Sequence, residues 1–159
     1  MGSEGVARVA EFIKRRGLGA EVLEFSETVE SVESASRASR VPPHSIVKTL
    51  ILVVDDEPYA VLVPGDRRLD LGKLRRLLGA RRARLAKPSE LEEIVGLKPG
   101  EVSPLVESVA RLRVVLDKEV LGRDVVLVGG GSIHHLVKVR VSELVSVLNP
   151  IVADVSEPG

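Results

Sequence analysis

Ser45-Ile46-Val47-Lys48-Thr49-Leu50-Ile51-Leu52-Val53-Val54 is a β-branched, apolar run that reads as a central strand yet carries one ammonium in its first half. On period-2 alternation Lys48 shares a face with Ile46, Leu50, Leu52 and Val54, while Val47, Thr49, Ile51 and Val53 form the other, so neither face has the polar pattern of a solvated one. Burying an unpaired ammonium is costly unless a partner or an anionic ligand compensates. The plain explanation is a strand-end lysine that snorkels to water or guards an edge. The alternative is a charge held for a ligand.

The residues around this run frame the domain. Asp55-Asp56-Glu57-Pro58 supplies hairpin-turn chemistry, and Tyr59 to Val63 returns as an antiparallel partner strand. Upstream, Ser3 to Arg16 spaces Val6, Val9, Ala10 and Ile13 as a helix stopped by Gly17. Glu21 to Phe25 is a short strand, and Thr28 is positioned to cap a helix running to about Arg40. Downstream, Asp70 caps a helix over Leu71 to Leu78 with Leu71, Leu74, Leu77 and Leu78 on its apolar side, and Gly79 closes it. Arg82 to Leu85 is an edge strand, and Pro88 to Val95 a helix ended by Gly96. Leu112 to Leu116 and Val125 to Val128 are buried strands around an Asp117-capped helical turn. Gly129 to Ser132 turns into a strand over Ile133 to Val141, and Ser142 caps a last helix to about Leu148. This order predicts one compact mixed α/β domain over residues 1–159.

Composition narrows the function classes. The 159 residues are 44% hydrophobic, enough for a single core, and the absence of cysteine excludes disulfides, zinc thiolates and thiol nucleophiles. No signal-peptide pattern and no apolar run long enough to span a bilayer are present, which predicts a cytoplasmic protein with no membrane partner. Basic and acidic residues balance at 23 each, so any nucleic-acid contact must be local. Aromatic residues make up only 2%, too few for base-stacking platforms. The middle of the chain is nonetheless basic, with Arg67, Arg68, Lys73, Arg75, Arg76, Arg81, Arg82, Arg84 and Lys87, either a solvated helix face or a patch for phosphates.

Three further features are candidates for chemistry. Gly129-Gly130-Gly131-Ser132 is either a plain hairpin turn or an anion-binding concavity of backbone N–H groups; it matches neither a Walker loop nor a dinucleotide fingerprint. Pro99 and Pro104 stiffen Gly100-Glu101-Val102-Ser103 at both ends, which suits either an active-site wall or an ordinary connection. His134 and His135, adjacent on the expected strand, point to opposite faces, one buried and one exposed. No acidic residue at ligand spacing accompanies them, so neither a metal nor another cofactor is expected.

Taken in order, Ile46-Val47-Lys48-Thr49-Leu50, Val63-Pro64-Gly65-Asp66-Arg67-Arg68-Leu69-Asp70-Leu71, Gly96 to Pro104, Asp117-Lys118-Glu119 and the glycine turn resemble the YbaK/ProX family of aminoacyl-tRNA deacylases, related to the insertion editing domain of prolyl-tRNA synthetases. The resemblance covers about Thr28 to Val155. It implies a largely antiparallel, barrel-like sheet flanked by helices, and trans-editing hydrolysis of the ester of mischarged tRNA, with cysteine or alanine on tRNA(Pro) as the expected themes. Lys48 falls on the family's essential lysine and would hold an electronegative group of the aminoacyl-adenosine end. Thr49, Gly100, Ser103, Pro104, Gly129, Gly130, Ser132 and one of His134 and His135 fall where the family binds substrate. The implied partners are the tRNA acceptor end and prolyl-tRNA synthetase. A non-catalytic relative that binds a small ligand or a tRNA end as a regulator is the competing expectation, and turnover separates the two.

Overall fold

The computed structural model describes residues 3–159. In chain order its elements are α1 (Ser3–Arg16), β1 (Glu21–Glu24), α2 (Val32–Ser39), β2 (Val47–Val54), β3 (Glu57–Pro64), β4 (Arg67–Leu69), α3 (Leu71–Leu78), β5 (Ala83–Leu85), α4 (Pro88–Val95), α5 (Glu107–Ala110), β6 (Arg113–Asp117), β7 (Val125–Gly129), β8 (His135–Arg140), α6 (Val141–Leu148), β9 (Ile151–Ala153) and β10 (Ser156–Pro158).

Local chemistry sets most boundaries where expected. Asp55 and Asp56 both adopt positive φ, 46° and 69°, the two-residue turn whose twist matches a β-hairpin, and β2 and β3 pair from Val54 with Glu57 back to Val47 with Pro64. The Asp70 carboxylate accepts from the Lys73 N–H at 3.1 Å to start α3, and Gly79 in the left-handed region ends it. Three expectations are corrected. Ser31 rather than Thr28 caps α2, because Ser34 returns the bond and closes a reciprocal box. The last helix begins at Val141 behind Arg140, so Ser142 lies inside it. On the amphipathic helices, α1 turns Val9 and Phe12 inward and leaves Ala10 exposed, while α3 buries only Leu74 fully and leaves Leu71 and Leu77 exposed.

The strands form a five-stranded sheet in the order β5-β2-β3-β6-β9, a three-stranded sheet β1-β8-β7, and a pair β10-β4. Pairing is largely antiparallel; β6 runs parallel to both β3 and β9. The barrel-like closure expected of the sheet does not form. The two larger sheets touch through one isolated bridge between Ile46 and Leu127, which leaves them splayed beyond it. The main core fills the space between them, with Val9, Phe12, Val47, Ile51, Leu62, Leu105, Leu116, Val137 and Leu144 in contact. The opposite face of the five-stranded sheet packs Leu52, Val54, Val61, Val63, Val115 and Val155 against Leu74 of α3. Asp117 is fully buried and ties the C-terminal segment down, accepting from the Glu119 N–H at 3.2 Å and the Val155 N–H at 3.0 Å.

Candidate functional site

The site follows from incomplete strand pairing. β5 pairs with β2 only from Leu52 to Val54, and the bridge to β7 sits at Ile46, so the intervening stretch of β2 has β3 on one side and no strand on the other. A cleft of about 480 Å³ lies along this open edge. Because it lies against an edge, residues from both faces of β2 line it, Lys48 and Thr49 alike. Gly100 and Val102 of the stiffened loop, Gly129 at the end of β7, and His135 add to the polar and backbone part of the wall. The remainder is mainly apolar, with Val29, Ala35, Ile46, Leu91, Val128 and Leu136.

Lys48 is half-buried, and its Nζ donates to the Arg67 carbonyl at 2.7 Å. That carbonyl belongs to the turn Pro64 to Arg67, and a Cβ on Gly65 would sit 2.5 Å from Cγ1 of Val32, itself a cleft residue, so the turn stands at the cleft rim. Burial lowers the Lys48 pKa below the ordinary lysine value, and the Asp66 carboxylate opposes that shift. One protein acceptor leaves the ammonium two donor positions for a ligand. Thr49 Oγ1, facing the main core side, is buried with no hydrogen-bond partner, a condition that costs about 1–3 kcal/mol for an unpaired hydroxyl and is relieved by a bound acceptor or donor.

The glycine turn serves close approach rather than anion capture. A Cβ on Gly129 would lie 2.0 Å from the Val102 carbonyl oxygen, one on Gly130 2.7 Å from the His135 carbonyl, and one on Gly131 2.4 Å from Gly5 of α1. The Gly130 N–H is spent on the His135 carbonyl at 3.0 Å, closing the hairpin. Gly129 thus packs β7 directly onto the Gly100 loop, while Gly100 itself, at φ 86°, faces Glu30 and Ile133.

The histidines are arranged differently from the alternation expected of a strand. β8 starts at His135, so His134 lies in the preceding turn, and both side chains are half-buried. His134 Nδ1 donates to the Glu27 carbonyl at 2.9 Å and faces a neighbouring hollow against α1. Ser132 Oγ accepts from the His134 N–H at 2.9 Å and meets His135 Nδ1 at 2.6 Å. With the hydroxyl donating to Nδ1, His135 Nε2 carries the proton, 3.7 Å from the Glu24 carboxylate. Of the residues picked out in the sequence, the fold therefore brings Lys48, Thr49, Gly100, Gly129 and His135 to one cleft. Ser132 reaches it through His135. Ser103 and Pro104 are buried behind the loop, where Ser103 Oγ accepts from the Leu105 N–H at 3.1 Å. Glu30 and Ser31 on the approach to α2, and Leu85 and Ala86 at the end of β5, also line the cleft; they lie in segments that read as cap and edge strand and carry no motif.

The basic segment borders the same cleft. Residues 67–87 hold nine of the 23 cations and only one carboxylate, Asp70. Its start, Arg67, holds Lys48, and its end, Leu85-Ala86, forms part of the wall. Arg68 pairs with Glu157, Lys73 with Asp154 and Arg84 with Glu90, whose carboxyl is held down to about 2 by the Arg84 guanidinium and the Lys87 N–H. Among the described residues, Arg67, Arg75, Arg76, Arg81, Arg82 and Lys87 have no carboxylate partner. Also among the described residues, no group of three acidic, histidine or cysteine side chains is placed to hold a metal, and no helix is long and apolar enough to cross a membrane.

The mixed α/β fold thus presents a lysine on an open strand edge, beside a glycine-proline loop in the same cleft. The family model described as the aminoacyl-tRNA editing domain matches residues 26–147, and the chain belongs to that family. It is 34% identical over 112 residues to the proline–tRNA ligase of Geobacter metallireducens, covering 69% of this chain and 19% of that protein. It is 40% identical over 82 residues to the enzyme of the same name from Oleidesulfovibrio alaskensis, covering 52% and 14%. The chain thus spans less than a fifth of the length of these relatives. Among solved structures, a candidate trans-editing enzyme for prolyl-tRNA synthetase superposes with a TM-score of 0.88 at 33% identity, over 96% of this chain and 97% of that one. A protein of unassigned function superposes at 0.85 with 35% identity, over 94% and 99%.

Proposed function

We propose that residues 1–159 act as one cytoplasmic editing unit that works in trans, hydrolysing the ester between a wrong amino acid and the terminal adenosine of a tRNA, with cysteine or alanine on tRNA(Pro) as the substrates. The observation that carries this reading is the placement of Lys48 and Thr49 on an unpaired strand edge, across one cleft from the Gly100 loop. An aminoacyl ester is already activated, so hydrolysis needs a positioned water and charge stabilisation rather than a protein nucleophile. Water adds to the carbonyl carbon, the tetrahedral intermediate expels the ribose oxygen, and the proton lost by water ends on that oxygen. The products are the free amino acid and a tRNA with its hydroxyl restored.

In this reading the Lys48 ammonium, steadied by the Arg67 carbonyl, holds an electronegative group of the acylated adenosine. Thr49 Oγ1 gains the partner it lacks. The Gly100 segment and the apolar wall size the amino-acid pocket, and His135, fixed by Ser132, offers a polar tip to the substrate. The unpartnered cations of residues 67–87 meet the backbone phosphates of the acceptor arm, a local contact consistent with a chain of zero net charge. Apolar discrimination of one methylene is worth only about 1–3 kcal/mol, so the preferred amino acid is a matter for measurement. Incubating the protein with a panel of correctly and wrongly charged tRNAs tests the reading. Release of cysteine or alanine from tRNA(Pro), with proline retained, supports it. Binding of the acceptor end with no release from any member of the panel overturns it in favour of a non-catalytic regulator.

A further inference from the structure

We infer that Glu30 reads the α-ammonium of the acylated nucleotide, so that the site accepts esters of amino acids with a free amino group and rejects N-acylated ones; the inference rests on the deacylase reading above. Among the described residues lining the cleft, Glu30 is the only carboxylate and Lys48 the only lysine or arginine. Among the described residues it forms no ion pair. Its backbone is fixed on both sides. The Val29 N–H donates to the Ile133 carbonyl at 2.6 Å, and Ser31 is the N-cap of α2. Its side chain lies directly over the Gly100 loop, where a Cβ on Gly100 would come within 2.9 Å of Glu30 Oε2 and 3.1 Å of its Cβ.

The two charges suit the two ends of one ligand. An aminoacyl-adenosine end carries electronegative ribose and phosphate oxygens on one side of the ester and, on the other, a cationic ammonium on the carbon next to the carbonyl. With the oxygens at Lys48, the amino acid lies toward the Gly100 loop, and the ammonium finds the one anion on the wall. Acylation of the nitrogen removes the cation and adds bulk where Glu30 and Ile133 already lie close over Gly100. Such a reader gives a hydrolase acting in trans a physical reason to spare esters whose amine is already joined to a peptide.

The test uses one tRNA(Pro) carrying alanine, either free or N-acetylated, with the wild-type protein and Glu30→Gln. The wild type is expected to favour the free amine in kcat/KM by about tenfold or more, the size of one charge-assisted contact at a solvent-accessible site. In Glu30→Gln that preference should collapse toward one, with the loss falling on the free-amine substrate and mainly in KM. Equal hydrolysis of both substrates by the wild type, an undiminished preference in the variant, or a parallel loss on both substrates would overturn the assignment while leaving the deacylase reading intact. If the wild type releases amino acid from neither of these, nor from cysteine-charged tRNA(Pro) or any other member of the charged panel, both fall together. Because Glu30 is exposed, the variant should keep the wild-type thermal midpoint, which a melting curve verifies.

Discussion

Replacing Lys48 by methionine separates the cost of the ammonium from its use. The substitution keeps an unbranched side chain of similar reach and removes the charge. On the functional side, a charged donor aimed at developing or fixed negative charge in a partly dehydrated cleft is worth about 10²–10³ in rate, or roughly 3–4 kcal/mol. On the structural side the change removes one charged hydrogen bond, from Nζ to the Arg67 carbonyl at 2.7 Å. A bond of that kind contributes about 1.5–3 kcal/mol at most. Lys48 is only half-buried, so water can replace the lost donor at the carbonyl, and the variant no longer holds a partly desolvated cation at the position paired with Val63. These contributions nearly cancel, leaving a stability change within about 1 kcal/mol, or some 2–4 °C in Tm for a chain of this size. The assay is single-turnover deacylation of the wrongly charged tRNA alongside thermal melting. Wild-type hydrolysis by Lys48→Met, or activity lost only in step with unfolding, refutes the assignment of Lys48 to substrate.

The lowered Lys48 pKa gives a pH dependence of known sign. The ammonium is intact below its folded pKa, so the rate above the uncatalysed background should decline as pH rises through a value under that of free lysine, and Lys48→Arg, if it deacylates, should move that decline to higher pH. Between the folded and unfolded pKa values the unfolded chain binds more protons at this residue, so its contribution to stability should rise with pH across that interval, as urea titrations at several pH values would show. Gly129→Ala should destabilise by about 1–3 kcal/mol and impair the cleft, since the new methyl meets the Val102 carbonyl at 2.0 Å with backbone on both sides. Gly122→Ala, with nothing within 4 Å of the added atom, should leave Tm unchanged or slightly raised, and the pair compared by melting checks that the effect is one of contact.

Turn and cap chemistry made much of the fold legible, because an Asp-Asp hairpin, an aspartate cap or a glycine stop is decided within four residues. The turn between β2 and β3 and the limits of α3 and of α4 were readable in this way, although β3 starts at Glu57, two residues before the expected Tyr59. What escaped was settled at long range. β9 and β10 are three residues each, and they exist because β6 and β4 offer them edges. Ser31 prevailed over Thr28 as the α2 cap because Ser34 answers it, a serine standing where the usual serine-glutamate signature has its acidic half. In the site, Lys48 and the Gly100 loop were visible as residues at odds with their surroundings. Glu30 was not, since one glutamate in an acidic, serine-rich stretch has no distinguishing neighbour; only the position of Gly100 gives it meaning.

The same contrast explains how an apolar strand tolerates its lysine. Alternation sorts side chains onto two faces and leaves no place for a charge on either. A strand has edges as well, and β2 loses one of its two neighbours between the bridge at Ile46 and the start of β5 pairing at Leu52. Over that interval the edge of the sheet is open, and the ammonium reaches the rim, where the Arg67 carbonyl accepts its hydrogen bond. The glycines on the opposite wall work to the same end. Gly129 lets β7 lie against the Val102 carbonyl, and Gly131 lets the following turn lie against Gly5 of α1. The far side of the cleft is therefore set by backbone contacts, which have little freedom to relax. A gap in strand pairing supplies the opening, and contacts too close for any Cβ keep the opposite wall in place.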